Sequence, residues 1–144
     1  MTEMILTGAK ESLFTAEIRA ELDRWIAKYP AGQGQSAVLP CLHIVQEANA
    51  GWVSTAILDA LADYLAMSKV SVYEVATFYT MIELSPVGKH KISVCTNISC
   101  MLCGSEHIME HLQTKLNIKP GETSADGLFT LKEVECLAAC VGAP

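Results

Sequence analysis

Residues 90–100 read HKISVCTNISC and residues 128–140 read LFTLKEVECLAAC, and these two stretches decide the fold of the second half of the chain. In 90–95 the β-branched Ile92 and Val94 fall on one face at a period of two, which predicts a short strand. Residues 128–134 alternate apolar and polar side chains and predict a second. Between them, residues 102–117 place Ile108, Leu112 and Leu116 on one helical stripe, while Pro120-Gly121 and Asp126-Gly127 mark turns. A strand, a helix and a strand make an α/β unit. Each strand runs into cysteine: Cys95 with Cys100 beyond it, and Cys136 with Cys140 beyond it. Both pairs therefore leave strand ends, where the loops of one sheet can converge.

Five of the six cysteines lie between 95 and 140, too dense a group to assign to core packing alone. The N-terminus MTEMILTGAKESLF has neither the basic start and long apolar core of a secretory signal nor the Arg-rich, acid-poor character of a transit peptide. A chain that stays where it is made rarely keeps disulfides, so metal binding or redox chemistry is the better reading. Cys100/Cys103 with Cys136/Cys140 has the close-pair spacing of structural zinc, and Cys100/Cys103 alone that of a thioredoxin-type redox pair. An iron–sulfur cluster offers two ligand sets. Cys95, Cys100 and Cys103 match plant-type ferredoxin spacing with one of Cys136 or Cys140 as the fourth; alternatively Cys95, Cys100, Cys136 and Cys140 contribute one pair from each loop. Spacing leaves that choice open. The loop after Cys95 feeds a helix starting near Leu102, whose N-terminus would face the site, and neither loop contains Lys or Arg.

Toward the N-terminus the pattern changes to four amphipathic helices. Thr15 caps the first, with Ile18, Leu22, Trp25, Ile26 and Tyr29 on its stripe. Ser36 opens the second, which carries Pro40 in its first turn and Leu39, Leu42, Val45 and Ala48 inside, and ends at Asn49 and Gly51. Ser54 opens the third, with Ile57, Leu58, Leu61 and Leu65. Ser71–Glu74 reads as a capping box ahead of Val75, Phe78, Tyr79 and Ile82. Short connections make this a compact bundle. Ser85-Pro86-Val87-Gly88 is the joint, giving an N-terminal extension at 1–14, a helical bundle at 15–85 and an α/β unit at 86–144. The cysteines split across it as well, one (Cys41) before and five after.

Composition narrows the function classes. With 51% apolar and 18% charged residues, the 144-residue chain is not disordered. It has no apolar run of membrane-spanning length. A net charge of -6 argues against nucleic acid as a partner. No G-x-G-x-x-G, Walker loop or G-x-S-x-G is present, so no nucleotide or flavin site is expected here. His107 and His111 stand one helical turn apart but read as a solvated face; His43 and His90 receive no role. Glu17, Glu21, Asp59 and Asp63 read as solvated carboxylates.

The joint occurrence of several motifs resembles the thioredoxin-like [2Fe–2S] subunit family of respiratory complex I over about residues 15–144. In the helical half the resemblance rests on Gly51-Trp52-Val53 and on Tyr73-Glu74-Val75-Ala76-Thr77-Phe78-Tyr79. In the other half it rests on Cys95-Thr96-Asn97 through Cys100, on Leu116–Thr123, on Asp126-Gly127, and on Cys136-Leu137-Ala138-Ala139-Cys140 followed by Ala143-Pro144. The resemblance implies an α+β fold: a helical bundle followed by a thioredoxin-like ferredoxin domain. It implies one [2Fe–2S] cluster held by Cys95, Cys100, Cys136 and Cys140, with Cys103 a bystander. It also implies an electron-transfer role in NADH:quinone oxidoreductase, where the cluster accepts one electron from a partner subunit that alone carries FMN and binds NADH. Other peripheral-arm subunits are expected as partners, and the expected location is the bacterial cytoplasm, peripheral at the inner membrane. An NAD-linked hydrogenase or formate dehydrogenase uses an equivalent subunit, and a zinc-stabilised scaffold is the alternative of another class. Family members continue beyond the Ala-Pro after the last ligand, so the ferredoxin domain is expected to be incomplete at Pro144, with an open sheet edge and a labile cluster.

Overall fold

A computed structural model describes residues 13–144. The chain divides into two compact units between Pro86 and Val87. The extension expected at 1–14 lies outside the described residues up to residue 12. Its last two residues belong to the helical core: Phe14 is buried, edge-on to Tyr64, and Leu13 packs beside it.

Among the described residues the first unit holds four α-helices: α1 (Ala16–Ile26), α2 (Val38–Ala48), α3 (Thr55–Tyr64) and α4 (Lys69–Phe78). Thr15 and Ser54 cap α1 and α3, their hydroxyls accepting from the N–H of Ile18 and Ile57. Two expected starts move. Ser36 lies inside a 3₁₀ turn, Gly34–Ala37, and α2 follows Ala37 with no side-chain cap. Pro40 is then third in α2, where an intrahelical N–H bond is absent in any case. α4 starts one turn earlier than its capping box, because the Ser68 hydroxyl accepts from Ser71 N–H at 3.1 Å and also pairs with the Ser71 hydroxyl. Val72 and Ala76 take the buried face of α4, and Phe78 ends the helix 77% exposed, so it leaves the expected stripe. Asp59 is no idle carboxylate: it accepts from Lys69 at 2.7 Å and from Tyr73 at 3.0 Å, tying α3 to α4. Leu22, Leu42, Leu61, Val45 and Cys41 form the centre of the core.

The second unit holds β1 (His90–Cys95), α5 (Ile98–Leu102), α6 (Ser105–Leu116) and β2 (Phe129–Val134). β1 and β2 pair in parallel from His90 opposite Phe129 to Cys95 opposite Val134. Parallel strands need a crossover, and α5 and α6 supply it. The other edge of β2 is occupied too: Gly121 N–H donates to Leu131 O, Leu131 N–H to Glu122 O and Ser124 N–H to Phe129 O. Of the two strands that could have carried the expected open edge, β2 is therefore covered on both sides along this stretch. The single helix expected over 102–117 is broken at Gly104, whose φ of +97° interrupts the ladder. Restarting at Ser105 shifts the phase: Met109, Leu112 and Leu116 face Val94, Leu131 and Ile118, while Ile108 is 41% exposed.

Gly88 shows how tightly the strand pair is anchored. A Cβ built there would stand 2.9 Å from the backbone of Phe129, and Gly88 N–H donates to the buried Thr130 hydroxyl at 2.6 Å. Gly88→Ala must push β1's entry away from β2. We expect it to lower the stability of the second unit by about 1–3 kcal/mol, read as faster hydrogen exchange at Leu131 with the first unit's helices unchanged. Unchanged protection at Leu131 would refute the close approach.

Candidate metal centre

In a parallel pair both C-terminal ends lie on one side. Because Cys95 is the partner of Val134, the segments leaving β1 and β2 emerge together. Thr96 secures that edge, its N–H donating to Val134 O at 3.1 Å and its hydroxyl to Glu133 Oε1 at 2.6 Å. Cys95, the last residue of β1, is buried, and its thiol donates to the Glu135 carbonyl at 3.4 Å, reaching across to the segment that carries Cys136.

Cys100, expected on a loop, sits inside a five-residue helix. Asn97 starts α5, its side-chain oxygen accepting from Ile98 N–H at 2.6 Å, and Cys100 follows as the third helical residue, turned inward and buried. Helical geometry thus brings Cys100 back toward Cys95. On the other segment, Ala138 adopts φ +57°, a left-handed conformation that a side chain opposes. That residue folds the segment on itself: Ala138 N–H donates to Cys136 Sγ at 3.2 Å, and Cys136 Sγ lies 3.9 Å from Cys140 Sγ. Both of these cysteines are exposed.

The four thiols interact as one group. The Cys100 thiol is pushed up to about 11, first by its hydrogen bond with Cys95, then by burial and by the charges of Cys95, Cys140 and Cys103. Cys140 is also raised, chiefly through its hydrogen bond with Cys136 and that group's charge, with burial and Cys95 adding to it. Each thiolate opposes the next, and a cation among them would reverse that sign. Beside them lies an apolar cavity of about 320 Å³, lined by Cys95, Cys100 and Cys140 with Ile92, Val94 and Leu112.

The sulfur spacing allows a direct test of fit. Two thiolates at about 2.3 Å from one tetrahedral first-row ion stand about 3.8 Å apart, and Cys136 and Cys140 are 3.9 Å apart. Among the described residues, no three His, Cys, Asp or Glu side chains converge on a single-ion point. A [2Fe–2S] core asks for something else, four thiolates shared between two irons. Two thiol pairs stand at this edge, Cys95 with Cys100 and Cys136 with Cys140, and thiols are the residue type such a core requires.

The remaining sequence candidates fall elsewhere. Cys103 is exposed just past α5, close enough for its charge to act on Cys100 but outside the cavity lining. Cys41 is buried in the first unit's core. His107 is exposed on α6, with Glu110 at 4.0 Å as an ionic neighbour. Sequence reasoning missed the Glu135 carbonyl and the left-handed Ala138; the one available signal was the small Ala138-Ala139 pair between two cysteines.

Comparison with known proteins bears on the same stretch. A family model described as thioredoxin-like [2Fe-2S] ferredoxin matches residues 22–144. The chain is 49% identical over 119 residues to an NADH-quinone oxidoreductase subunit of Rickettsia prowazekii, covering 83% of this chain and 67% of that one. It is 45% identical over 127 residues to an NADH-quinone oxidoreductase subunit of Rhizobium meliloti, covering 88% and 74%. With the mitochondrial NADH dehydrogenase [ubiquinone] flavoprotein 2 of Dictyostelium discoideum it shares 43% over 131 residues, covering 91% of this chain and 53% of that one.

Burial sorts the thiols of the cluster-free chain by reactivity. With every cysteine of that chain kept reduced, a neutral-pH alkylating reagent should label the exposed Cys103, Cys136 and Cys140 first, and the buried Cys41, Cys95 and Cys100 only slowly. Cys41 carries a second mark: burial, and then the charge of Asp23, push its thiol up to about 11. Its labelling rate in the folded chain should keep rising with pH until about that value. A plateau near pH 9, or labelling as fast as Cys103, would contradict its burial.

Proposed function

The chain belongs to the thioredoxin-like [2Fe-2S] ferredoxin family, and from that membership we propose that it is the electron-transfer subunit of an NADH:quinone oxidoreductase. In this reading it works beside a flavin-bearing, NADH-oxidising subunit, from which it receives electrons singly. When bound, the [2Fe–2S] cluster supplies one-electron redox chemistry. The ligands are Cys95, Cys100, Cys136 and Cys140, and the observation that carries this is their delivery as two thiol pairs to one edge of a parallel strand pair.

The chain's own residues have separable tasks. β1 and α5 hold Cys95 and Cys100 out of water, and the apolar wall of Ile92, Val94 and Leu112 excludes solvent from that side. Ala138 N–H already donates to Cys136 Sγ and would stabilise negative charge added to a bound cluster. Around the cysteines Ile98, Leu102, Leu137 and Val141 are exposed. Such a rim fits a surface that a partner subunit covers. Among the described residues no helix is long and apolar enough to cross a membrane, which suits a peripheral place in the complex.

Replacing Cys95, Cys100, Cys136 or Cys140 by Ser should abolish or strongly alter the EPR signal of the reduced, iron-loaded chain, while Cys103→Ser leaves it intact. Loss of the signal in Cys103→Ser with retention in Cys140→Ser would install the plant-type ligand set instead. The isolated chain should show no NADH oxidation, since flavin and NADH belong to the partner; turnover by the pure, flavin-free chain would overturn that division.

A further inference from the structure

We propose that in the cluster-free chain Cys136 and Cys140 close into a disulfide, and that this bond must be reduced before the site can be loaded. The disulfide itself rests on geometry; its effect on loading rests on the ligand assignment above. The two sulfurs already lie 3.9 Å apart, against about 2.05 Å in a disulfide. The segment is bent for it: Ala138 at φ +57° turns the chain back, and its N–H holds Cys136 Sγ at 3.2 Å. Both cysteines are exposed, and the Leu137, Ala138 and Ala139 between them are exposed as well.

Access separates this pair from the other. Thiol–disulfide exchange needs the attacking sulfur to reach the small molecule along its S–S axis. Cys95 and Cys100 are 8% and 6% exposed, and the Cys95 thiol is engaged with the Glu135 carbonyl. An oxidant that cannot reach them can still reach Cys136 and Cys140.

The oxidant is a low-molecular-weight disulfide. One protein sulfur, Cys140 or Cys136, attacks it; the small S–S bond breaks and one small thiol leaves, taking the proton. The second protein sulfur then attacks the mixed disulfide, the protein S–S bond forms, and the second small thiol leaves with the other proton. The protein pair is oxidised by two electrons and the small disulfide is reduced by two. A dithiol reductant runs the exchange backward. With the bond in place, two of the four proposed donors are lost.

The test uses the full-length, cluster-free chain, reduced and then treated with oxidised glutathione. Remaining thiols are alkylated, and the peptides are mapped by mass spectrometry. The expected result is a 136–140 cross-link with Cys95 and Cys100 alkylated, lost in both Cys136→Ser and Cys140→Ser. A first cross-link through Cys95–Cys100 or Cys100–Cys103, or glutathione adducts alone, would overturn the proposal. The oxidised chain is then offered ferrous iron and sulfide, with and without dithiothreitol. Loss of visible absorption without the reductant, and recovery with it, supports the gating; equal loading in both overturns it. If neither sample loads although the cross-link map is as expected, the ligand assignment has failed while the disulfide stands.

Discussion

The in-register parallel pairing of His90–Cys95 with Phe129–Val134 is the constraint on which the second unit depends. Parallel direction sends both strand exits to one edge, and register decides which residues stand there. A one-residue slip of β2 would move Val134 from its place opposite Cys95 and turn Leu131 out of the core. Several features defend the register. Gly88 admits the backbone of Phe129 where no side chain fits. The Thr130 hydroxyl accepts from Gly88 and pairs with Thr123, so one buried group ties β1's entry, β2 and the 121–124 segment together. At the other end Thr96 and Glu133 bridge the strands beside the cysteines. The site inherits its geometry from these contacts, since the four cysteines are separated by up to 45 positions in sequence.

Much of this was legible in the chain. Period-two alternation located both strands to within a residue, because β-branched and apolar side chains at alternate positions have only one way to face a core. Thr15 and Ser54 were readable as caps for a similarly local reason. The failures have a common cause. Helical phase depends on where a helix starts, and the starts were set by features with weak sequence signals: a 3₁₀ turn that absorbs Ser36, a Ser68 cap ahead of the better-looking Ser71–Glu74 box, and a left-handed Gly104 that splits 102–117 in two. A restart at Ser105 moves the buried position from Ile108 to Met109, although Leu112 and Leu116 keep their places.

At the site, residue types and spacing pointed to metal or redox chemistry and left the ligand set open; the resemblance singled out Cys95, Cys100, Cys136 and Cys140. The surroundings of those residues were less accessible to sequence reasoning. That Cys100 would be held inside a short helix, and that an alanine would take a left-handed conformation to bring two thiols together, depends on backbone geometry that no side-chain pattern announces. Ala138 at φ +57° is of the kind of strained position found near functional sites. The same turn aims Ala138 N–H at Cys136 Sγ, at 3.2 Å.

The two thiol pairs are chemically alike and physically unequal. Cys95 and Cys100 are fixed by a strand and a helix, and they are buried. Cys136 and Cys140 hang on an exposed segment that is fixed chiefly by its own turn. On the inner side the Cys100 thiol is raised, first by its hydrogen bond with Cys95 and then by burial, and no Lys or Arg lies in either cysteine loop. On the outer side water and a backbone N–H are available. A group held across both pairs would be anchored from within and open from without. That exposure would admit the proposed redox partner and small oxidants alike. In the proposed ligand set, electron access and vulnerability to oxidation would therefore follow from one placement, that of Cys136 and Cys140 on an exposed segment beyond the end of β2.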